Sequence, residues 1–368
     1  MAYVLGLVAG GFLKYEIRLR SEENFGQIMD SESQRHAANK KLMQPLRNAM
    51  RSFQWEDVQT ELGSLFAPDT PIHLAYPFET MNGCTEFYVH ALRPLREAIP
   101  DLERRDTIVM AGTSVIGNDW VGCAGYYTGS FMRPWLDIPP TGHMVSMRFH
   151  EFYRIGDGCV QEMQALWDIP EVMMQANAWP MSPSLGREWH VPGPATQDGL
   201  FIAASDTAAS ATSLALVSEM LNRLGEFATG GVDAMRLNDY WHPGCSWYGP
   251  AGIGTCRGID GFRNWHQIPF LNAMPDRVGT LGKGDLFAED QYVGFTAWPG
   301  MEMTVTGDGW LGIAPAGQKI TMRSLDFWRC QDGLIHENWV LVDLLDVYHQ
   351  LGVDVFARLR EFNKVRLT

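Results

Sequence analysis

Residues 138–175 read IPPTGHMVSMRFHEFYRIGDGCVQEMQALWDIPEVMMQ, and residues 313–350 read IAPAGQKITMRSLDFWRCQDGLIHENWVLVDLLDVYHQ. Both stretches contain an I-x-P-x-G turn, an arginine three residues before an acidic residue and a phenylalanine, and then an Asp-Gly pair. Every shared residue is separated from its counterpart by 175 positions, as Arg148 is from Arg323 and Asp168 is from Asp343. A register that holds over this length indicates two copies of one structural unit.

The same offset continues upstream and divides the chain into two domains. Gly83 matches Gly258, and the Pro-Asp pair at 100 matches the pair at 275. A chain of 368 residues also fits two domains of about 150 residues each. Between the copies, a segment rich in Pro, Gly and Ser is typical of a linker. We therefore predict an N-terminal arm at 1–29, a first domain at 30–180, a linker at 181–208 and a second domain at 209–368.

Each copy changes from helical to strand patterns along its length. Apolar residues recur at helical spacing in 33–53 and again in 212–227. After a third helical segment, strand-forming runs follow at 120–127 and 319–328. The Asp-Gly pairs, with their glycines in the left-handed conformation, predict hairpins with three-residue loops. This order predicts an α+β fold.

The composition argues against several classes of protein. With 46% hydrophobic and 20% charged residues the chain is globular, and its net charge of −14 would repel a nucleic acid. The apolar segment 4–13 is too short to span a bilayer and lacks a basic leader, so we expect neither a membrane anchor nor a cleaved signal. The six cysteines are scattered without CxxC spacing, and we interpret them as reduced thiols in the cytoplasm.

Four features together resemble the SnoaL-like polyketide cyclase family: the turn at 138–142, the R-x-x-E-F strand at 148–152, the Asp-Gly hairpin, and the closing W-x-x-x-D and Q-L-G motifs at 339–352. The resemblance covers roughly 30–180 and 210–355. It implies a nuclear transport factor 2-like fold, in which a curved antiparallel sheet and helices form a cone that holds a small apolar ligand. Family members commonly associate through the outer sheet face. The resemblance therefore implies an intrachain pseudo-dimer, and it leaves homo-oligomerisation through further sheet or edge contacts open.

The resemblance also implies chemistry without a metal or a cofactor. In the family's cyclases one Asp of the last strand, seven residues after the hairpin Gly, acts as the acid and base of an aldol closure. That position holds Ala165 in the first copy and Val340 in the second. A family His on the preceding strand aligns with Glu151 and Asp326. The cone is therefore expected, whereas the family's aldol cyclisation is not.

Strand alternation then predicts which side chains point into each cone. Glu151 and Asp326 are the main candidates, because a carboxylic acid among apolar neighbours has a raised pKa, in the range that a general base needs. We expect His143 to be a partner for Glu151, and Asn338 and His336 to be partners for Asp326. Alternation adds Tyr153, Trp167, Met163 and Trp328 to the predicted pocket lining. The resemblance implies that His73, on the entrance strand, and His266, on the third helix, also face a cavity, although an isolated His equally fits a partly buried core position.

Other polar residues have alternative interpretations. Asp168 and Asp343 lie where the family has its chemistry, but each also fits a helix N-cap with an acidic residue three positions later. The opposite sheet face carries arginines and glutamates, which we expect to pair within a buried contact between the two copies. No group of His, Cys and acidic residues has metal-ligand spacing, so we expect no metal site.

The function predicted from these residues is a cofactor-independent cyclase, lyase or isomerase that acts by proton transfer on a small hydrophobic carbonyl or cyclic compound. Epoxide-hydrolase or dehydratase chemistry in the same fold is one alternative. A second alternative is a protein that binds a hydrophobic small molecule without catalysis. Because Asp326 has the fuller set of partners, the second copy is the preferred catalytic cone.

Overall fold

The computed structural model describes residues 3–9, 12–18, 22–200, 202–279, 284–307 and 310–367, with side chains from residue 31 onward except at 228–229 and 367. Its first half contains α1 Glu22–Ser52, α2 Trp55–Leu65, α3 Gly83–Phe87, α4 Arg93–Ala98 and α5 Ile169–Gln175. The strands of this half are β1 Tyr3–Ala9, β2 Phe12–Arg18, β3 Pro71–Leu74, β4 Glu79–Asn82, β5 Glu103–Thr113, β6 Asp119–Ser130, β7 Met144–Gly156 and β8 Cys159–Trp167.

The second half repeats this order. Its helices are α6 Thr207–Leu224, α7 Phe227–Ala234, α8 Gly258–Phe262, α9 Ile268–Ala273, α10 Leu344–Gln350 and α11 Val355–Leu367. Its strands are β9 Trp241–Tyr248, β10 Thr255–Arg257, β11 Val278–Gly279, β12 Gly284–Glu289, β13 Tyr292–Thr304, β14 Lys319–Gln331 and β15 Leu334–Val342. Within the predicted arm, β1 and β2 pair with each other, and α1 begins inside it, at Glu22.

Each domain is a curved, mainly antiparallel sheet covered by helices, which is the predicted α+β cone. The strand order is β4-β3-β8-β7-β6-β5 in the first domain and β10-β9-β15-β14-β13-β11 in the second, where β12 also pairs with β13. The inner face of each sheet packs on its helices, since alternate residues of the long strands are apolar and buried.

The two Asp-Gly hairpins have tighter loops than predicted. Gly156 pairs with Cys159 and Gln331 pairs with Leu334, so two residues form each turn instead of three. Asp157 and Asp332 have φ of 52°, and the glycine after each also has positive φ. Positive φ at both positions defines a type I′ turn, which Asp-Gly favours because Gly has no Cβ.

The outer faces of the two sheets pack against each other, as the pseudo-dimer requires. Phe152 stacks on its repeat counterpart Phe327 with ring centroids 4.8 Å apart. A Cβ on Gly122 would come within 2.9 Å of both rings, so this position needs glycine. Trp120, Leu325 and other apolar side chains complete a cluster between the domains. The contact follows from hydrophobic outer faces that water would otherwise cover.

Polar contacts related by the repeat join the domains at both ends of this interface. The Asp168 carboxylate accepts the Ala251 N–H across the interface at 2.9 Å, and the Asp343 carboxylate accepts the Tyr76 N–H at the same distance. Arg148 donates to the carbonyl of Gly249 at 2.6 Å. These buried groups satisfy one another, so the interface tolerates their polarity.

The arginines of the outer face pair with aspartates as well as with the expected glutamates, as Arg154 does with Glu162. Arg148 lies beside Asp168, and Arg323 pairs with Asp343 and with Glu79 of the other domain. Arg329 with Glu337 is a pair of the expected Arg–Glu type. Pairing follows which strand ends meet at the interface, and alternation alone does not specify that.

Candidate functional site

The second cone encloses a cavity of about 140 Å³ between its helices and the inner face of its sheet. Helix α6 closes one side, β9 and the helices after Gly258 close another, and strands β13, β14 and β15 form the floor. Most of the lining is apolar or aromatic: Met220, Leu221, Leu224, Trp241, Trp247, Ile253, Phe262, Phe270, Leu271, Met301, Trp310, Met322, Trp328, Val340 and Val342. The polar members are His266, Gln267, Arg277, Ser324, Asp326 and Asn338. A concave apolar site with a few polar groups is typical of small-molecule binding.

Asp326 lies on the floor of this cavity with one carboxylate oxygen free. Its residue is only 8% exposed, and the Ser324 hydroxyl donates to Oδ2 at 2.9 Å. Oδ1 has no hydrogen-bond partner among the described residues. Burial raises the pKa of Asp326 to about 7, and the bond from Ser324 opposes that rise only in part. Near neutral pH this group can therefore both accept and donate a proton.

Asn338 lies on the neighbouring strand and also lines the cavity. Its amide Nδ2 donates to the Phe327 carbonyl at 3.0 Å, which fixes the orientation of the side chain. The predicted association of Asp326 with Asn338 on one inward face is therefore present. The predicted third member, His336, is elsewhere: it stacks on His242 with centroids 4.2 Å apart and is not part of the cavity lining.

The imidazole of the cavity is that of His266, on the third helix. A π-helical turn, Arg263–Gln267, brings His266 and Gln267 to the cavity wall just before Pro269, which cannot donate a backbone hydrogen bond. His266 stacks on Trp247 at 3.9 Å, and burial lowers its pKa to about 3, with Arg277 contributing. The ring is therefore neutral at physiological pH. The resemblance implied that His266 faces a pocket, and the residue lines this cavity.

Unsatisfied polar atoms are concentrated at this cavity. Thirteen buried side-chain N or O atoms of the described residues have no hydrogen-bond partner, and six of them belong to the cavity lining. Buried polar groups are normally paired, so such a concentration indicates a site completed by a ligand or by water. The six atoms are Trp241 Nε1, His266 Nδ1, Gln267 Oε1, Arg277 Nε, Asp326 Oδ1 and Trp328 Nε1.

The equivalent position in the first cone is fully occupied by protein. Glu151 is 0% exposed and accepts hydrogen bonds from four donors: Tyr127, Tyr153, Trp167 and Arg104. Both of its oxygens are engaged, so neither is available to a ligand. Glu151 is therefore held as a structural carboxylate.

Strand register explains why one cone is filled and the other is open. In the first sheet, Arg104 is the register partner of Tyr127 on the next strand, and Tyr127 is the partner of Met147. In the second sheet, Gly279 is the partner of Met301, and Met301 is the partner of Met322, the repeat counterpart of Met147. Gly279 thus occupies the position of Arg104. At two further positions the second copy has a smaller side chain, which leaves more space in its cone: Ser324 corresponds to Phe149, and Val342 corresponds to Trp167.

Several predicted site residues lie outside both cones. His143 is exposed and does not contact Glu151. His73 points to the outer face, where it stacks on Trp298 of the other domain at 5.7 Å, because its neighbours Ile72 and Leu74 take the inward positions. Asp168 and Asp343 are buried at the domain interface. The Asp343 side chain also caps α10 through the Asp346 N–H, whereas no capping bond is found for Asp168 in the described structure.

Sequence reasoning missed three polar or aromatic residues of the cavity lining: Arg277, Gln267 and Trp241. The repeat contained a signal for Arg277, because the equivalent position of the first copy holds the buried Leu102. A charge in one copy where the other copy has a core residue indicates a difference in role.

Within the described ranges, no group of three or more His, Cys, Asp or Glu residues could hold a metal ion. All six cysteines are free. No helix of the described chain is long and apolar enough to cross a membrane.

A family model described as SnoaL-like polyketide cyclase matches residues 45–176 and again 219–351. The two matches cover well over half of the chain. The chain belongs to the SnoaL-like polyketide cyclase family. Each matched segment contains one cone, so the tandem arrangement of SnoaL-like domains is shown, and the second match includes the cavity residues His266, Arg277 and Asp326.

Several solved structures are similar to less than half of this chain each. A candidate SnoaL-like polyketide cyclase from Jannaschia sp. CCS1 is 21% identical over 43% of this chain and 95% of its own, with a TM-score of 0.32. A candidate polyketide cyclase, IdmH, from Streptomyces antibioticus is 19% identical over 37% and 96%, with a TM-score of 0.31. A candidate hydroxylase, AclR, from Streptomyces galilaeus is 18% identical over 38% and 97%, with a TM-score of 0.32. A search of curated proteins finds no match.

Proposed function

We propose that the second cone is the active site of a cofactor-independent enzyme that moves a proton on a small, largely apolar carbonyl or cyclic compound, with Asp326 as the general base. The observation that carries this proposal is the Asp326 carboxylate: it lies in an aromatic cavity, its Oδ1 has no hydrogen-bond partner in the described part of the chain, and its pKa is about 7. A base with this pKa is half ionised at neutral pH, which suits both removal and return of a proton.

Other cavity groups can stabilise the negative charge that forms when the proton is removed. When a base removes a proton next to a carbonyl, negative charge develops on the carbonyl oxygen, and N–H donors in a dry cavity stabilise it. The indole N–H groups of Trp241 and Trp328 are unpartnered among the described residues, and both side chains line the cavity. The neutral His266 ring adds a further donor or acceptor. Because the protein already holds these donors in place, stabilising the charge requires little rearrangement during the reaction.

The proposal is tested with 2-indanone, a small bicyclic ketone whose protons next to the carbonyl are acidic. The rate of deuterium incorporation in D₂O is followed by proton NMR for the wild type, Asp326→Asn and Glu151→Gln. Asp326→Asn keeps the shape and removes the base, so we expect a rate loss of at least about a hundredfold. Glu151→Gln alters the same position of the filled cone and should retain activity when circular dichroism confirms its fold.

The opposite result would assign the chemistry to the first cone: full activity in Asp326→Asn and none in Glu151→Gln. Binding is measured in parallel by tryptophan fluorescence, because Trp241, Trp247 and Trp328 line the cavity. If the wild type binds 2-indanone and related cyclic ketones but exchanges none of them, the non-catalytic binding protein becomes the better description.

A further inference from the structure

Arg277 is a cation in the same cavity that the proposed proton transfer does not use. Its side chain lines the cavity, and its Nε is enclosed without a hydrogen-bond partner among the described residues. Its contacts are weak: Nη2 donates to the Leu224 carbonyl at 3.4 Å, and the guanidinium lies 5.9 Å from the centre of the Phe270 ring. Within the described chain, no carboxylate forms an ion pair with it.

The first domain shows how this fold normally accommodates a buried arginine. Arg104 lies two positions further along the repeat than Arg277, and it pairs with both Glu151 and Asp106. Asp106 in turn pairs with Arg47 at 2.9 Å. Arg104 is therefore neutralised by protein groups. Arg277 has no such partner in the described residues, although removing an unpaired charge from water costs several kcal/mol.

A bound anion from outside the protein would neutralise the positive charge of Arg277. Burial lowers the pKa of Arg277 with no acid near enough to oppose the effect, but a guanidinium stays charged in proteins. It offers planar donors suited to a carboxylate. His266 lies near Arg277, since Arg277 contributes to lowering the pKa of that imidazole, and its buried Nδ1 also lacks a partner in the described structure. The two side chains form one polar end of the cavity.

Asp326 lies away from this end. It belongs to β14, whereas Arg277 directly precedes β11, and β13 lies between these two strands. Two strand spacings separate backbones by about 10 Å. Arg277 is also absent from the charges that affect the pKa of Asp326. A ligand bound through an anionic group at Arg277 would therefore extend its ring toward Asp326.

We propose that the ligand of this cavity is a small aromatic or cyclic carboxylate, bound with its carboxylate at Arg277 and with its ring directed toward Asp326. This inference rests on the proposed function of the same cavity, because it names the class of compound on which that chemistry acts. Arg277 is a binding residue in this proposal, and the proton transfer remains with Asp326.

The test compares phenylacetate with phenylacetamide, which has nearly the same shape but no charge. Dissociation constants for both are measured by tryptophan fluorescence in the wild type, Arg277→Met and Arg257→Met. Arg257 is exposed in the same domain, donates to Ser246 at 2.7 Å and does not line the cavity. The substitution Arg257→Met therefore removes an equal charge without changing the site.

We expect the wild type and Arg257→Met to prefer phenylacetate by at least about tenfold, and Arg277→Met to lose that preference while still binding phenylacetamide. Arg277→Met should also keep or raise the melting temperature, which separates loss of the anion site from loss of the fold. Equal affinity for the two probes in the wild type, a preference that survives in Arg277→Met, or no saturable binding of phenylacetate would each overturn the inference.

The 2-indanone exchange assay distinguishes this failure from failure of the proposed function. Exchange that depends on Asp326, together with no preference for phenylacetate, would leave the catalytic proposal standing and refute the anion site. A preference that depends on Arg277, in a protein that exchanges no ketone, would do the reverse.

Discussion

The two copies place a carboxylate at the same point of the fold in opposite environments, so neutralising each should change stability in opposite directions. Asp326 has a pKa of about 7 in the folded protein, against an ordinary value of 3.8. Because this folded-state pKa is raised, the folded protein holds a proton that the unfolded chain releases. The contribution of this carboxyl group to stability is therefore fully present below about pH 4 and is lost as the pH rises toward 7.

The size of this effect follows from the pKa difference. Each pH unit between the two pKa values is worth 1.36 kcal/mol, so an ionised Asp326 costs the fold up to about 4 kcal/mol above pH 7. Asp326→Asn has no charge to bury. We expect the variant and the wild type to be about equally stable near pH 4, and the variant to be more stable by up to about 4 kcal/mol at pH 8.

Glu151→Gln provides the contrast. Four donors surround the Glu151 carboxylate, and one of them is the buried guanidinium of Arg104. Removing one partner of a buried ion pair typically costs about 3 to 5 kcal/mol. Glu151→Gln should therefore be less stable than the wild type at neutral pH.

Urea unfolding at a series of pH values, followed by tryptophan fluorescence, measures both variants against the wild type. The reasoning about the two cones is refuted if Asp326→Asn and the wild type give parallel stability profiles from pH 4 to pH 8. It is also refuted if Glu151→Gln stabilises the protein at neutral pH. The first result would mean that the charge of Asp326 is neutralised by neighbouring groups. The second would mean that the charge of Glu151 is not.

Three further predictions concern the interface, the filled cone and the reaction. Phe152→Ala and Phe327→Ala should each cost about 3 to 5 kcal/mol in urea unfolding, with a double-mutant coupling of about 0.5 to 1.5 kcal/mol, because the rings stack on each other; additive losses would contradict this contact. Arg104→Met with Glu151→Met should be far more stable than either single variant, because the pair leaves together; equal losses in all three would contradict a coupled pair. Below about pH 7, exchange of 2-indanone should fall about tenfold per pH unit as Asp326 becomes protonated, and should level off above that pH; a flat profile would exclude Asp326 as the base.

The sequence alone determined the architecture of this protein. The constant offset of 175 residues identified two copies, and alternation along the hairpin strands placed Glu151 and Asp326 inward and Phe152 and Phe327 outward. These features depend on residues near one another in the chain or on a strict repeat, so a linear pattern reveals them. The placement of Asp326 and Asn338 on one inward face was predicted in the same way, whereas His266 was expected at the pocket only from the resemblance to the family.

Only the tertiary structure decided which cone is open and which groups meet inside it. Arg104 reaches Glu151 across two strand pairings, although the two residues are 47 positions apart in the chain. The sequence gives no sign of that contact, and for this reason His143 was expected as the partner of Glu151. Asp168 and Asp343 similarly meet backbone amides of the opposite domain, more than 80 residues away in the chain. Whether a carboxylate is satisfied or free depends on neighbours that long-range strand pairing and domain packing bring together, and that difference separates the filled cone from the candidate active site.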